Sequence, residues 1–239
     1  MILSMLFSGG SPFEILLTLL LMLPAMMLAL SLHETAHGYV AWKCGDSTAY
    51  NLGRLTLNPL KHLDPFGFIC LLIFGYGWAN PVPINTRNFR NPKRGMALSA
   101  LAGPVSNLLL GLLCAVIAGV FLGYYSYVTA PFSESTYWNE VLRLFTIALL
   151  YSAQINFLYM AFNMIPVPPF DGSRVMLAFL PTNIYFKIMR YERQIMFGVL
   201  ISLLLLSRLG ISPFGWIAEK LTNLITYPIA ETVLKGLIA

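Results

Sequence analysis

Residues 15–32, ILLTLLLMLPAMMLALSL, hold no charged side chain and run without a turn signal into HETAH at 33–37. A stretch of about 20 apolar residues crosses a bilayer as a helix, and in lipid a helix satisfies its own backbone polar groups. Pro24 is tolerated there as a kink. Read from near Glu14 to Lys43, the helix is about 30 residues, or about 45 Å, long. Two histidines and a glutamate therefore fall on a membrane helix, towards its Lys43 end. On insertion scales a charged group near the centre of such a helix costs about 2.5–3.5 kcal/mol. Three ionisable residues in five positions need compensating partners, unless the helix end already stands in water.

Composition agrees with a membrane setting. The chain is 57% hydrophobic and 10% charged, against about 25% charged in soluble domains, too little charge to cover a water-exposed globule. The net charge of +5 does not indicate nucleic acid, because the basic residues flank apolar runs as the positive-inside rule expects. No positive charge precedes the first apolar run, so it is expected to be retained and not cleaved as a signal peptide. Cys44, Cys70 and Cys114 lack metal-type spacing.

Charge order gives a topology. Further spans are expected from about Met96 to Tyr124 and from about Leu142 to Met164. Arg87, Arg90, Lys93 and Arg94 place the start of the second span in the cytoplasm, where Lys43, Arg54 and Lys61 also place the end of the first. The apolar segment 66–78 lies between them and cannot cross once. It is expected to form a re-entrant hairpin or, alternatively, a surface amphipathic stretch. AYNLGRLTLNP alternates weakly and suits a short strand. Residues 194–207 suggest a fourth span, and 213–237 either a fifth or an interfacial helix. The expected fold is an all-α polytopic membrane protein. It is a single domain over 1–239, with a three-helix core at about 14–175, one or two C-terminal membrane helices over about 176–239, and a small re-entrant β/loop segment.

His33 and His37, four residues apart on a helix, stack on one face, and their nitrogens converge on one metal ion. Glu34 lies about 100° round, placed to act on a metal-activated water. A third ligand is expected, since catalytic zinc usually takes three from the protein. His62 is the other histidine. Asp171, in FNMIPVPPFDGSR at the cytoplasmic end of the third span, is the better placed. Pro166, Pro168 and Pro169 keep that segment from continuing as a helix, and Asn163 just above it has an amide suited to a carbonyl.

HETAH followed far downstream by NMIPVPPFDG resembles the site-2 protease family of intramembrane zinc metalloproteases, peptidase family M50. The intervening GWANPVPINTRNFRNPKRGMALSALAGPVSNLLLG is similar to its compact prokaryotic branch without a PDZ domain. The resemblance implies one zinc per chain, with His33, His37 and Asp171 as ligands. It also makes Glu34 the general acid/base and gives Asn163 a role in polarising the scissile carbonyl. Where the family is expected to favour lysine before PVP, this chain has Asn80.

The activity this implies is endopeptidase cleavage of transmembrane segments in membrane-protein substrates, known as regulated intramembrane proteolysis. The implied location is a prokaryotic cell membrane, with the site towards the cytoplasm. A transmembrane substrate must unwind before attack. The re-entrant segment 66–85, with Asn80, Pro81, Val82 and Pro83, is expected to offer it a strand edge. SALAGPVSNLLLG at 99–111 is expected to allow close helix approach. A membrane metal-ion transporter is the rival from another class, and a catalytically dead scaffold a third. The transporter is weakened by a single asymmetric site and by a glutamate beside the ligands that transport would not require, the scaffold by the presence of all the candidate catalytic groups.

Overall fold

Ser11 starts the first long helix: its hydroxyl accepts from Glu14 N while the Glu14 carboxylate reaches back to Ser11 N, a reciprocal cap. In this computed structural model, helix α1 then runs unbroken through Pro24 to Lys43. The structure describes residues 9, 11–74, 78–129, 137–177, 179–181, 184, 187–188, 190–209 and 212–238. After α1 (Pro12–Lys43) come a short α2 (Thr48–Asn51), α3 (Pro65–Phe74), α4 (Pro92–Thr129) and α5 (Tyr137–Asn163). These are followed by α6 (Asp171–Leu177), α7 (Glu192–Arg208) and α8 (Pro213–Ile238).

Among the described residues, three helices, α1, α4 and α5, are long and apolar enough to cross a membrane, and the chain is an integral membrane protein of all-α class. They pack on one another directly. Gly111 brings α4 onto Phe157 of α5, where a Cβ would lie 2.9 Å from the ring. The expected fourth span is α7, which at 17 residues is shorter than the usual spanning length. The ambiguous segment 213–237 forms one 26-residue helix, α8. It follows α4 along the bundle, from Ala218 packed with Cys114, Ala115 and Phe157 to Val233 against Gly123.

The connectors build a cap over the end of the bundle where α1 and α5 finish and α4 begins. The strand suggested for AYNLGRLTLNP is absent: Thr48–Asn51 is helical, and Gly53, with φ +63, turns the chain. Among the described residues, the expected β element reduces to one antiparallel bridge, Leu63 with Ala79. That bridge closes the base of a hairpin. Between its ends, α3 dips towards the bundle until Leu71 packs on the Met26–Ala29–Ile155 cluster. Residues 75–77, within the expected hairpin, and 130–136, between the second and third expected spans, lie outside the described residues.

Asp46 ties the cap together. It is fully buried and accepts from Asn85 N at 2.7 Å, Asn88 Nδ2 at 2.9 Å, Thr48 N at 3.1 Å and the Thr48 hydroxyl. Burial opposes its charge, but the bonds from Thr48, Asn88 and Asn85 outweigh that and hold the carboxyl below its ordinary value. A lowered folded-state pKa contributes stability that is present above the unfolded value, about 3.9, and lost as pH falls through the folded one. Unfolding temperature in detergent is therefore expected to drop below about pH 4. In Asp46→Asn this part of the pH dependence disappears. At pH 7 that variant is expected to be about 1–3 kcal/mol less stable, because its amide meets donors.

Candidate metal centre

One face of α1 carries His33 and His37, and both side chains are buried. Asp171 reaches them from the far end of α5. That helix stops at Asn163, the proline-rich residues 164–170 reverse the chain, and Asp171 opens α6. Phe170 packs edge-on against Phe162, with centroids 4.5 Å apart. A Cβ at Gly172 would lie 2.4 Å from Met164 O, so the return is tight enough to require glycine.

His33 Nε2 lies 3.0 Å from Asp171 Oδ2, His37 Nε2 lies 3.1 Å from the same oxygen, and the two Nε2 atoms are 3.0 Å apart. A tetrahedral zinc with bonds of about 2.0–2.1 Å separates its ligand atoms by about 3.3 Å, so the triangle has the size a zinc ion needs. Its electrostatics suit a cation as well. His37 Nδ1 faces the Ser99 carbonyl at 2.7 Å, which can only accept. Asn107 spends its amide protons on Ala29 O at 3.1 Å and Asn156 Oδ1 at 2.9 Å, which turns its own Oδ1 onto His33 Nδ1. Both imidazoles thus donate from Nδ1 and point an Nε2 lone pair at a carboxylate oxygen. With both rings neutral, three acceptors in buried contact repel one another, and a metal ion, or a proton on one Nε2, relieves that repulsion.

The outer partners come from α4. Ser99 also donates its hydroxyl to His37 O at 2.8 Å, so it grips that residue at two points. Gly103, between Ser99 and Asn107, lies so near the rings that a Cβ there would be 2.5 Å from His37 Nε2. Such outer partners orient ligating histidines. Asn107 lies within the small-residue stretch 99–111 expected to allow close helix approach, and it also holds the His33 ring. Asn107→Leu is expected to lower metal affinity about 10–100-fold with the helices intact. Competition against a metal-binding dye would measure the drop.

Glu34 is buried beside the group, and its Oε2 accepts from Val82 N at 2.9 Å. The loop Asn80–Pro81–Val82–Pro83 therefore meets the site through Val82. The Val82 side chain is buried, while Asn80 and Pro81 are exposed. Asn163 is half-buried at the end of α5, and its amide donates back to Tyr159 O at 3.1 Å. His62 stands apart from the triangle, with its Nε2 on Thr56 O at 2.8 Å. Among the described residues, His33, His37 and Asp171 are the one cluster able to hold a metal ion.

Residues 21–207 match the family model described as Peptidase family M50. Three similar proteins bear the name "Putative zinc metalloprotease": YwhC of Bacillus subtilis (strain 168), Rip2 of Mycolicibacterium smegmatis and MJ0611 of Methanocaldococcus jannaschii. YwhC is 38% identical over 80% of this chain and 80% of its own length. Rip2 is 26% identical over 64% of this chain and 54% of its own, and MJ0611 28% identical over 60% and 62%. No solved structure matches the chain significantly. The chain belongs to peptidase family M50 and is a zinc metalloprotease of the membrane.

Proposed function

We propose that this chain is an intramembrane endopeptidase of the site-2 protease type, cutting transmembrane segments of other membrane proteins in regulated intramembrane proteolysis. One observation carries this reading: a metal-binding triangle and a carboxylate are buried together among helices able to span a membrane. Depth supports it. Trp42 stacks on Tyr50 with Lys43 over its ring, 4.6 Å from the centroid, the aromatic and basic signature of a membrane surface. His37 and His33 lie about 8–14 Å deeper along α1. The basic residues at this end of the bundle support a site towards the cytoplasmic face of a prokaryotic cell membrane.

In this mechanism His33, His37 and Asp171 would hold the zinc, which when bound would supply the Lewis acidity that makes a water reactive near neutral pH. Glu34 takes the proton of the attacking water on its free oxygen and hands one to the leaving amine. Asn163 turns its amide from Tyr159 O to the scissile carbonyl. The unwound substrate lies against the exposed side of Asn80, Pro81, Val82 and Pro83, with the bilayer around its remaining turns. Removing zinc from purified protein with a chelator is expected to stop cleavage of a membrane-embedded reporter, and zinc returned at one equivalent to restore it. Full cleavage in the zinc-free protein would end this reading. Comparing membrane-protein fragments from cells with and without the active enzyme would identify the substrates.

A further inference from the structure

A circuit of hydrogen bonds leaves α1 at residue 35 and returns at residue 34. Thr35 Oγ1 donates to Thr56 O at 2.7 Å, and the fully buried His62 donates from Nε2 to the same carbonyl. Asn80 N donates to His62 O at 2.8 Å. Arg54 Nη2 then donates to Asn80 O at 2.8 Å and to Pro81 O at 3.3 Å. Val82 N closes the circuit on Glu34 Oε2 at 2.9 Å.

Each part suits a device that holds an atom still. Pro81 and Pro83 have no N–H and a fixed φ, so Val82 carries the sole amide of the triplet, aimed by rigid neighbours. Its side chain seats on α1 at Gly38, where a Cβ would stand 2.9 Å from Val82 Cγ1 and 2.5 Å from Leu55 Cδ2. Arg54 reads from the sequence as one more topology-setting cation. Here one arm of its guanidinium, Nη2, donates to both main-chain carbonyls of the loop, and among the described residues it pairs with no carboxylate.

We infer that Arg54 is a positioning residue for Glu34: it fixes the Pro81–Val82–Pro83 turn, whose amide holds one carboxylate oxygen and leaves the other for the reacting water. This rests on Glu34 being the general base of the proposed protease. The loop then has two sides, an inner one that orients the base and an outer one for substrate.

The test uses the full-length, zinc-loaded protein in liposomes. Hydrogen exchange at the Val82 amide, resolved to the residue, is expected to be at least tenfold faster in Arg54→Ala and in Glu34→Ala than in the native chain. In Arg54→Lys, which can still reach one carbonyl, it should be intermediate. On a membrane reporter, Arg54→Ala should lose at least tenfold in kcat with KM within threefold and zinc content unchanged, and Arg54→Lys should recover part of it. Gly38→Ala, which displaces the loop without touching Arg54, should give the same faster Val82 exchange and the same loss in kcat, whatever its KM, and carries the test if Arg54→Ala does not fold. Unchanged Val82 exchange in Arg54→Ala would overturn the inference, as would a loss confined to KM. If the native zinc-loaded chain cleaved no membrane protein, the proposed function would fail, and the exchange measurement would still decide the hydrogen-bond circuit.

Discussion

Glutamine in place of Glu34 is expected to lower kcat by about 10²–10⁴-fold, the usual worth of a placed general base, while zinc stays at one per chain. The substitution isolates the proton. Glutamine keeps the size of the side chain and an oxygen to accept from Val82 N, so the loop stays docked. It removes the basic oxygen, and its amide cannot take a proton from water. The ligand atoms of His33, His37 and Asp171 are untouched, because Glu34 is not among them. Metal analysis of the purified variant beside initial cleavage rates gives both quantities. A variant that cleaved within tenfold of the native rate would remove Glu34 from the chemistry. One that lost its zinc would instead make Glu34 part of the metal's support.

Much of the core is legible in the sequence because lipid leaves few choices. A charge-free run must be a helix, and charge order along the chain restricts which ends share a side. Those two constraints bring Asp171 to the His33–His37 end of the bundle, although half the chain separates them. The expected strand in AYNLGRLTLNP failed for a physical reason. Weak alternation there reflects a cap whose polar groups are spent on Asp46, Thr56 and the loop, and no ladder is available to pair it. The outer partners of the site had a signal that apolar counting obscures. Ser99, Gly103 and Asn107 recur every four residues, one face of α4, and they meet His37, both rings, and His33 in turn. Two polar residues flanking a glycine at that spacing match what a pair of ligating histidines four residues apart requires of a neighbouring helix. The Val82–Glu34 bond had no comparable signal, since a main-chain donor leaves no trace in residue type.

That spacing makes Gly103 the sharpest point of attack on the site from outside the ligand set. Adding one methyl group there, Gly103→Ala, is expected to lower zinc affinity at least 100-fold. The new Cβ would lie 2.5 Å from His37 Cε1 and Nε2 and 2.6 Å from His33 Cε1. Flexible side chains escape such crowding, but these rings are held at their other nitrogens by Ser99 O and Asn107 Oδ1. Either the rings tilt or α1 and α4 part, and a zinc site tolerates only about ±0.2 Å in its bond lengths. Helix propensity works in the opposite sense, since alanine is favoured over glycine by about 1 kcal/mol, so the loss cannot be blamed on a weaker helix. Gly111→Ala is the control. It crowds the same helix against Phe157 at 2.9 Å, two turns from the ligands. It should cost about 1–3 kcal/mol of stability with zinc affinity within a few-fold of native. Titration against a zinc-binding dye and thermal unfolding of both variants separate the two effects. Native zinc affinity in Gly103→Ala would mean that α4 does not press on the metal ligands, and the arrangement of the site described here would have to be redrawn.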